Sequence, residues 1–159
     1  MGKVGYDHFA GLARMAEELA KLDDRASLIL TCHAALEREI DEVLSRSLPR
    51  ADRLRNLGFA NKITVLNAAW KGSDDAGDRL NAALFRFNEL RNAVAHVNAP
   101  KEIDAKIALL RAAFDQVLPD NGLEGDSITE MAAGLVGFMA DGVVSYDDLK
   151  IGQAAKGAA

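Results

Sequence analysis

The chain has one cysteine, three prolines, one tryptophan and two tyrosines among 159 residues, and each scarcity narrows what it can be. A lone thiol forms no internal disulfide, so Cys32, which falls on an apolar helical stripe, reads as a small core residue. Long apolar runs are missing: the strongest stretches are about ten residues and are interrupted by charge, so no conventional transmembrane helix is expected. The opening MGKVGYDHFAGLARMAEE has no uninterrupted apolar segment of the kind a secretory leader needs, and a cytoplasmic protein is expected. Positive charge is also short. A net charge of −5 and a pI near 5.2 argue against a protein that coats nucleic acid through bulk charge.

Several chemistries lack their residues. No phosphate-binding loop, dinucleotide-binding glycine pattern, nucleophile elbow or helix-turn-helix reader is recognisable. His8, His33, His96 and Cys32 are not at metal-ligand spacing. The run DNGLEGD resembles a calcium loop only superficially, because the twelfth position counted from Asp120 is Met131, which cannot ligate. No cofactor and no metal are expected.

What is present is a helical pattern. Apolar residues make up 49% and charged residues 27%, as in a folded domain able to bury its own core. Residues 7–22 read as a first helix with Asp7 as N-cap and Phe9, Leu12, Ala16, Leu19 and Leu22 on one face. Asp23 and Asp24 offer the next N-cap. The helix over 25–46 carries Ile29, Cys32, Leu36, Ile40 and Val43 at steps of three or four, with Arg38 and Glu42 placed to pair. Glu37 and Asp41, four apart, are either an acid pair or, as the expected use, salt-bridge partners of Arg91.

Pro49 stops this helix, and a basic connector with a short helical turn leads to Gly58. Phe59 to Trp70 is the next helix, closed by Gly72 as a left-handed C′ residue, with Ser73 or Asp74 capping the one after it. That helix ends near His96, before Pro100, and another runs over 101–118 with Ile103, Ile107, Leu110, Phe114 and Val117 on its apolar face.

After Pro119, Ile128, Met131, Leu135 and Phe138 form one more short amphipathic stretch, and Val143, Val144 and Tyr146 could extend as a strand or arm. The expected fold is all-α, an antiparallel bundle of about five to seven helices. The bundle is assigned to residues 1–118, a C-terminal helical extension docking on the bundle or on a partner to 119–151, and a disordered tail to 152–159.

Charge is unevenly placed. Arg46, Arg50, Arg53, Arg55 and Lys62 lie close together against one acidic residue, Asp52, whereas 120–148 holds seven acidic residues and no lysine or arginine. The basic strip over Arg50, Arg53, Arg55 and Lys62 is either a small RNA contact or a solvated loop.

The organising stretch is LFRFNELRNAVAHVN, residues 84–98. Leu84, Phe87, Leu90 and Val94 form the core face, and Arg91, Asn92 and His96 are the one polar constellation with a plausible reaction. Asn92 and His96 share a face, whereas Arg91 and His96 are separated by about 140° around an ideal helix, so one protomer does not easily close all of them on a small group. Without further context they serve as helix-end solvation, with His96 against the helix dipole. As chemistry, an imidazole titrating near about pH 6.5 suits removal of a 2′-OH proton, and a guanidinium suits the charge building on a phosphate. Asn92 would orient the imidazole or donate to a phosphate oxygen.

The run ELRNAVAH resembles the R-N-x-x-x-H element of HEPN domains, small all-α modules in which this motif marks metal-independent ribonucleases. LEREIDEVLSRSL followed by LGFANKITVL resembles the corresponding part of the MltR-like (mannitol operon repressor) branch, and the likeness spans roughly residues 25–118. The resemblance implies a homodimer whose two motifs face one cleft, cutting RNA to a 2′,3′-cyclic phosphate with Arg91, Asn92 and His96 as catalytic residues. It also admits an antitoxin or regulatory protein as partner; from the short apolar stretches, no membrane is expected. Where HEPN toxins paired with a nucleotidyltransferase commonly carry tyrosine two positions after the histidine, this chain has Asn98. Two classes stay open: a ribonuclease of toxin or defence type, and a non-catalytic dimeric transcriptional regulator or protein-interaction module.

Overall fold

The computed structural model describes residues 8–21, 23–140 and 142, and within them the chain is all-helical with no strand. The elements are α1 (His8–Ala20), α2 (Ala26–Ser47), a 3-10 turn (Ala51–Leu54), α3 (Phe59–Ala69), α4 (Asp74–Ala95), α5 (Pro100–Val117) and α6 (128–140). Asp7, the expected strand near Tyr146 and the tail from 152 lie outside the described residues.

α4 is the hub, packing against α2, α3 and α5. Its stripe explains why: Leu80, Leu84, Phe87 and Leu90 are fully buried, with Ala83 and Ala93 letting neighbouring helices approach. α2 meets it with Ile29, Cys32, Leu36, Ile40, Val43 and Leu44, and α5 with Ile103, Ile107, Leu110, Phe114 and Val117, all buried. Each such aliphatic or aromatic side chain contributes about 1.5–3 kcal/mol of transfer free energy, which offsets the ordering entropy of the helices. The spacing-derived faces of α2, α4 and α5 are thus the faces that form the core.

Local chemistry sets the boundaries. Leu48 is extended before Pro49 and ends α2, and Pro100 starts α5 at its first turn, where no amide partner is lost. The Ser73 hydroxyl accepts the Ala76 N–H at 3.3 Å, capping α4, with Asp74 and Asp75 favourably placed in its first turn.

Three local expectations are corrected. Glu42 pairs with Arg46 at 2.8 Å rather than with Arg38. Asp23 does not sit at the N-cap of α2; Arg25 does, and the Asp23 carboxylate instead accepts the Arg25 N–H at 2.9 Å and its guanidinium at 2.8 Å. Gly72 is not left-handed, since the positive-φ glycines among the described residues are Gly122 and Gly125. It is small for another reason: a Cβ there would lie 2.7 Å from Trp70 Nε1, which donates to the Ser73 carbonyl at 3.2 Å.

The C-terminal segment belongs to the same core. Arg111 holds the connecting loop by donating to the carbonyls of Leu123, at 2.9 Å, and Gly125, and it pairs with Asp115 at 2.9 Å. Gly122 and Gly125 there take φ of 65° and 80°, a conformation that costs glycine nothing. α6 then buries Ile128, Met131, Leu135 and Met139, and Phe138 stacks on Trp70 with ring centroids 6.0 Å apart.

α1 behaves differently. It is helical as its spacing predicts, yet Leu12, Met15 and Leu19 are 63%, 60% and 56% exposed. No helix among the described residues is long and apolar enough to cross a membrane.

Candidate functional site

α4 carries the polar constellation at its C-terminal end, and the helix terminus is an unusual one. Asn98 N–H bonds the Ala93 carbonyl at 3.0 Å and Val97 N–H bonds the Val94 carbonyl at 3.2 Å, the paired bonds of a Schellman cap. The position that such a cap normally gives to glycine is filled by Val97, at φ 55°. A β-branched residue there is strained. The cap turns the chain sharply after His96, whose backbone is already non-helical (φ −91°, ψ 8°) and whose residue is exposed.

Arg91 and Asn92 line a cleft that His96 does not. It has a volume of about 420 Å³ and is also lined by His33 and Glu37 from α2, Asn88 from α4, and Gly58 to Asn61 at the start of α3. Arg91 Nη1 donates to Asn92 Oδ1 at 3.2 Å, so Asn92 orients the guanidinium and not the imidazole. No carboxylate lies within ion-pair distance of Arg91 among the described residues. The structure therefore joins Arg91 with Asn92 and leaves His96 outside their cleft: Arg91 and His96 are far apart around the helix, and the face that Asn92 and His96 would share is not continued, because α4 ends at Ala95.

The imidazole that does line the cleft is His33. It is 6% exposed, its Nε2 lies 3.3 Å from Asn88 Oδ1, and its ring packs 4.1 Å from that of Phe59. Burial pushes its pKa below the ordinary histidine value. The Asn88 hydrogen bond opposes the shift, the nearby Arg91 charge reinforces it, and Glu37 opposes it. A lone histidine at position 33 carries no local signal of this; Asn88, at helical spacing from Arg91 and Asn92, does.

Glu37 and Asp41 do not reach Arg91. Lys62 Nζ lies 2.9 Å from each of their carboxylates, and Lys62 is 2% exposed. Burial works against its charge, but the hydrogen bonds and charges of Glu37 and Asp41 outweigh it and raise the ammonium pKa. Lys62 is thus consumed inside the fold, which removes it from the candidate RNA-contacting set. Arg50, Arg53 and Arg55 are exposed, and Arg53 makes only a loose 3.9 Å pair with Asp52. Arg55 lines a separate groove of about 470 Å³ between α2 and the 3-10 turn, together with Arg38, Asp41, Glu42 and Asp52.

Compared with known proteins, the chain matches no family model, no curated protein and no solved structure.

Proposed function

We propose that the chain is a metal-independent endoribonuclease of the HEPN type, of toxin or defence character, in which Arg91 and Asn92 hold the scissile phosphate. The observation that carries this reading is an arginine with no carboxylate partner among the described residues, oriented by a neighbouring asparagine and opening on a polar cleft. A guanidinium so placed is a ready partner for a phosphate oxygen. In the reaction a neutral imidazole takes the 2′-OH proton, the 2′-oxygen attacks phosphorus, and the 5′-oxygen leaves with a proton, giving a 2′,3′-cyclic phosphate. His96, exposed at the tip of α4, is free to serve this role in a cleft shared between two copies. The test is cleavage of RNA in EDTA by wild type and by the Arg91→Ala and His96→Ala variants. Activity that survives EDTA and falls at least about 100-fold in both variants supports the reading.

A second reading, a non-catalytic MltR-like dimeric regulator or protein-interaction module, is favoured by α1. Its exposed Leu12, Met15 and Leu19 suit protein contact better than RNA contact. Self-association lost on Leu12→Ser/Leu19→Ser substitution, in a wild type that cleaves no RNA, would select it.

A further inference from the structure

Asn88, Arg91 and Asn92 stand three and four residues apart on α4, so their side chains share one face, and all three line the cleft with His33. Their polar atoms are unequally used. The Asn88 carbonyl oxygen is engaged by His33 Nε2 at 3.3 Å, and the Asn92 carbonyl oxygen accepts from Arg91 at 3.2 Å. An amide whose oxygen is engaged presents its NH2. Both amide nitrogens and the remaining guanidinium N–H groups are donors that meet no acceptor among the described residues. The one carboxylate lining the cleft, Glu37, shares the Lys62 ammonium with Asp41, each at 2.9 Å, so its charge is countered in part. A cleft whose spare valences are donors, grouped about a cation, selects an anion with several acceptor oxygens. Its volume of about 420 Å³ lies within the usual range for small-molecule sites, about 300–1,000 Å³.

We propose that this cleft binds one phosphoryl group of a nucleotide within a single protomer, held by Arg91 and by the amide NH2 groups of Asn88 and Asn92, with His33 as the positioning residue for Asn88. The proposal rests on the reading of Arg91 as a phosphate-holding residue, and it adds Asn88 and His33 to the site without using His96.

His33 supplies a signature that a merely structural role lacks. To donate to Asn88 it carries its proton on Nε2. The charged groups around it are Arg91 on α4, which disfavours its protonation, and Glu37 on its own helix, which favours it, with Lys62 of α3 paired to Glu37. A phosphate on Arg91 cancels the unfavourable influence, so occupancy of the cleft raises the His33 pKa.

The experiment titrates the full chain with inorganic phosphate and with 3′-UMP, following the His33 ring resonances by NMR across pH. Saturable binding is expected, tighter for 3′-UMP, with a rise in the His33 pKa at saturation. Arg91→Ala and the near-isosteric Asn88→Asp should weaken binding at least tenfold, and His33→Gln, which keeps a donor, should stay within threefold of wild type. Arg79→Ala removes an equal charge elsewhere and should change little. No saturable binding, an unmoved His33 pKa, or an equal loss in Arg79→Ala overturns the proposal. Phosphate binding that depends on Arg91 in a chain that cuts no RNA rejects the ribonuclease reading and leaves this site standing; RNA cleavage without phosphate-linked titration of His33 does the reverse.

Discussion

Lys62 Nζ lies 2.9 Å from Glu37 Oε1, tying α3 to α2 through a carboxylate that lines the cleft Arg91 opens on. With Asp41 at the same distance, the buried ammonium has two carboxylates that are themselves partly solvated. Removing the partners is therefore worse than removing the lysine. Glu37→Gln/Asp41→Asn is expected to destabilise the fold by about 3 kcal/mol, because it leaves an uncompensated buried charge, whereas Lys62→Met should cost about 1 kcal/mol or less. Chemical denaturation midpoints check the order, and a Lys62→Met variant less stable than the double mutant contradicts it. Since the folded pKa of Lys62 is raised, its contribution is fully present below the ordinary lysine value and is lost as pH climbs through the raised one.

Val97 offers an opposite case, a residue whose replacement should help. At φ 55° its Cβ costs about 1–2 kcal/mol, while glycine pays about 0.5–1 kcal/mol in unfolded-chain entropy. Val97→Gly should raise stability by several tenths to about 1 kcal/mol, read as an increase in Tm. A fall in Tm would show that Val97 packing outweighs the backbone strain.

At the entrance to α2, the Arg25 guanidinium hydrogen-bonds the Asp23 carboxyl and lowers its pKa to about 2, against some opposition from burial. A lowered carboxylate pKa stabilises the fold above the unfolded value near 3.8 and stops doing so as pH falls through about 2. With Arg25 partly solvated, the contribution is about 1 kcal/mol. Denaturation followed from pH 5 to pH 2 should show a steeper loss in wild type than in Asp23→Asn; parallel curves would contradict this.

Gly77 is held small by the sole tryptophan. A Cβ there would lie 2.6 Å from Trp70 Cδ1, near the root of the side chain, where it cannot swing aside without disturbing its stacking on Phe138. Alanine gains about 1 kcal/mol in helix propensity, but the forced shift costs about 1–3 kcal/mol. Gly77→Ala is thus expected to be net destabilising and to shift the tryptophan emission, whereas an unshifted spectrum with raised stability would mean that Trp70 is not confined.

The parts of this fold that were legible in the sequence are those governed by local periodicity. Ile29 to Val43, Leu84 to Val94 and Ile103 to Val117 each announce a buried face because core packing follows helical spacing. Exposure was not legible for α1, since the same spacing describes a helix that docks and one that does not. In the candidate site, Arg91 and Asn92 were legible, with His96, as the polar cluster that ends an apolar stripe and as a short R-N-x-x-x-H element. The His33–Asn88 contact spans 55 residues, and Lys62 turns inward only because Glu37 and Asp41 on another helix receive it. Long-range partners of polar side chains leave no periodic trace, so a lysine in a basic strip resembled a surface contact until the neighbouring helix was in place.

Whether Arg91 clamps the phosphate during RNA cleavage is read from single-turnover cleavage in EDTA with Arg91→Lys beside wild type. Lysine keeps the charge and loses the planar fork, so wild type should leave 2′,3′-cyclic phosphate ends and the folded variant should react at least about tenfold more slowly. A folded wild type that cleaves none of a varied set of RNAs, or an Arg91→Lys variant as fast as wild type, would contradict this role of Arg91.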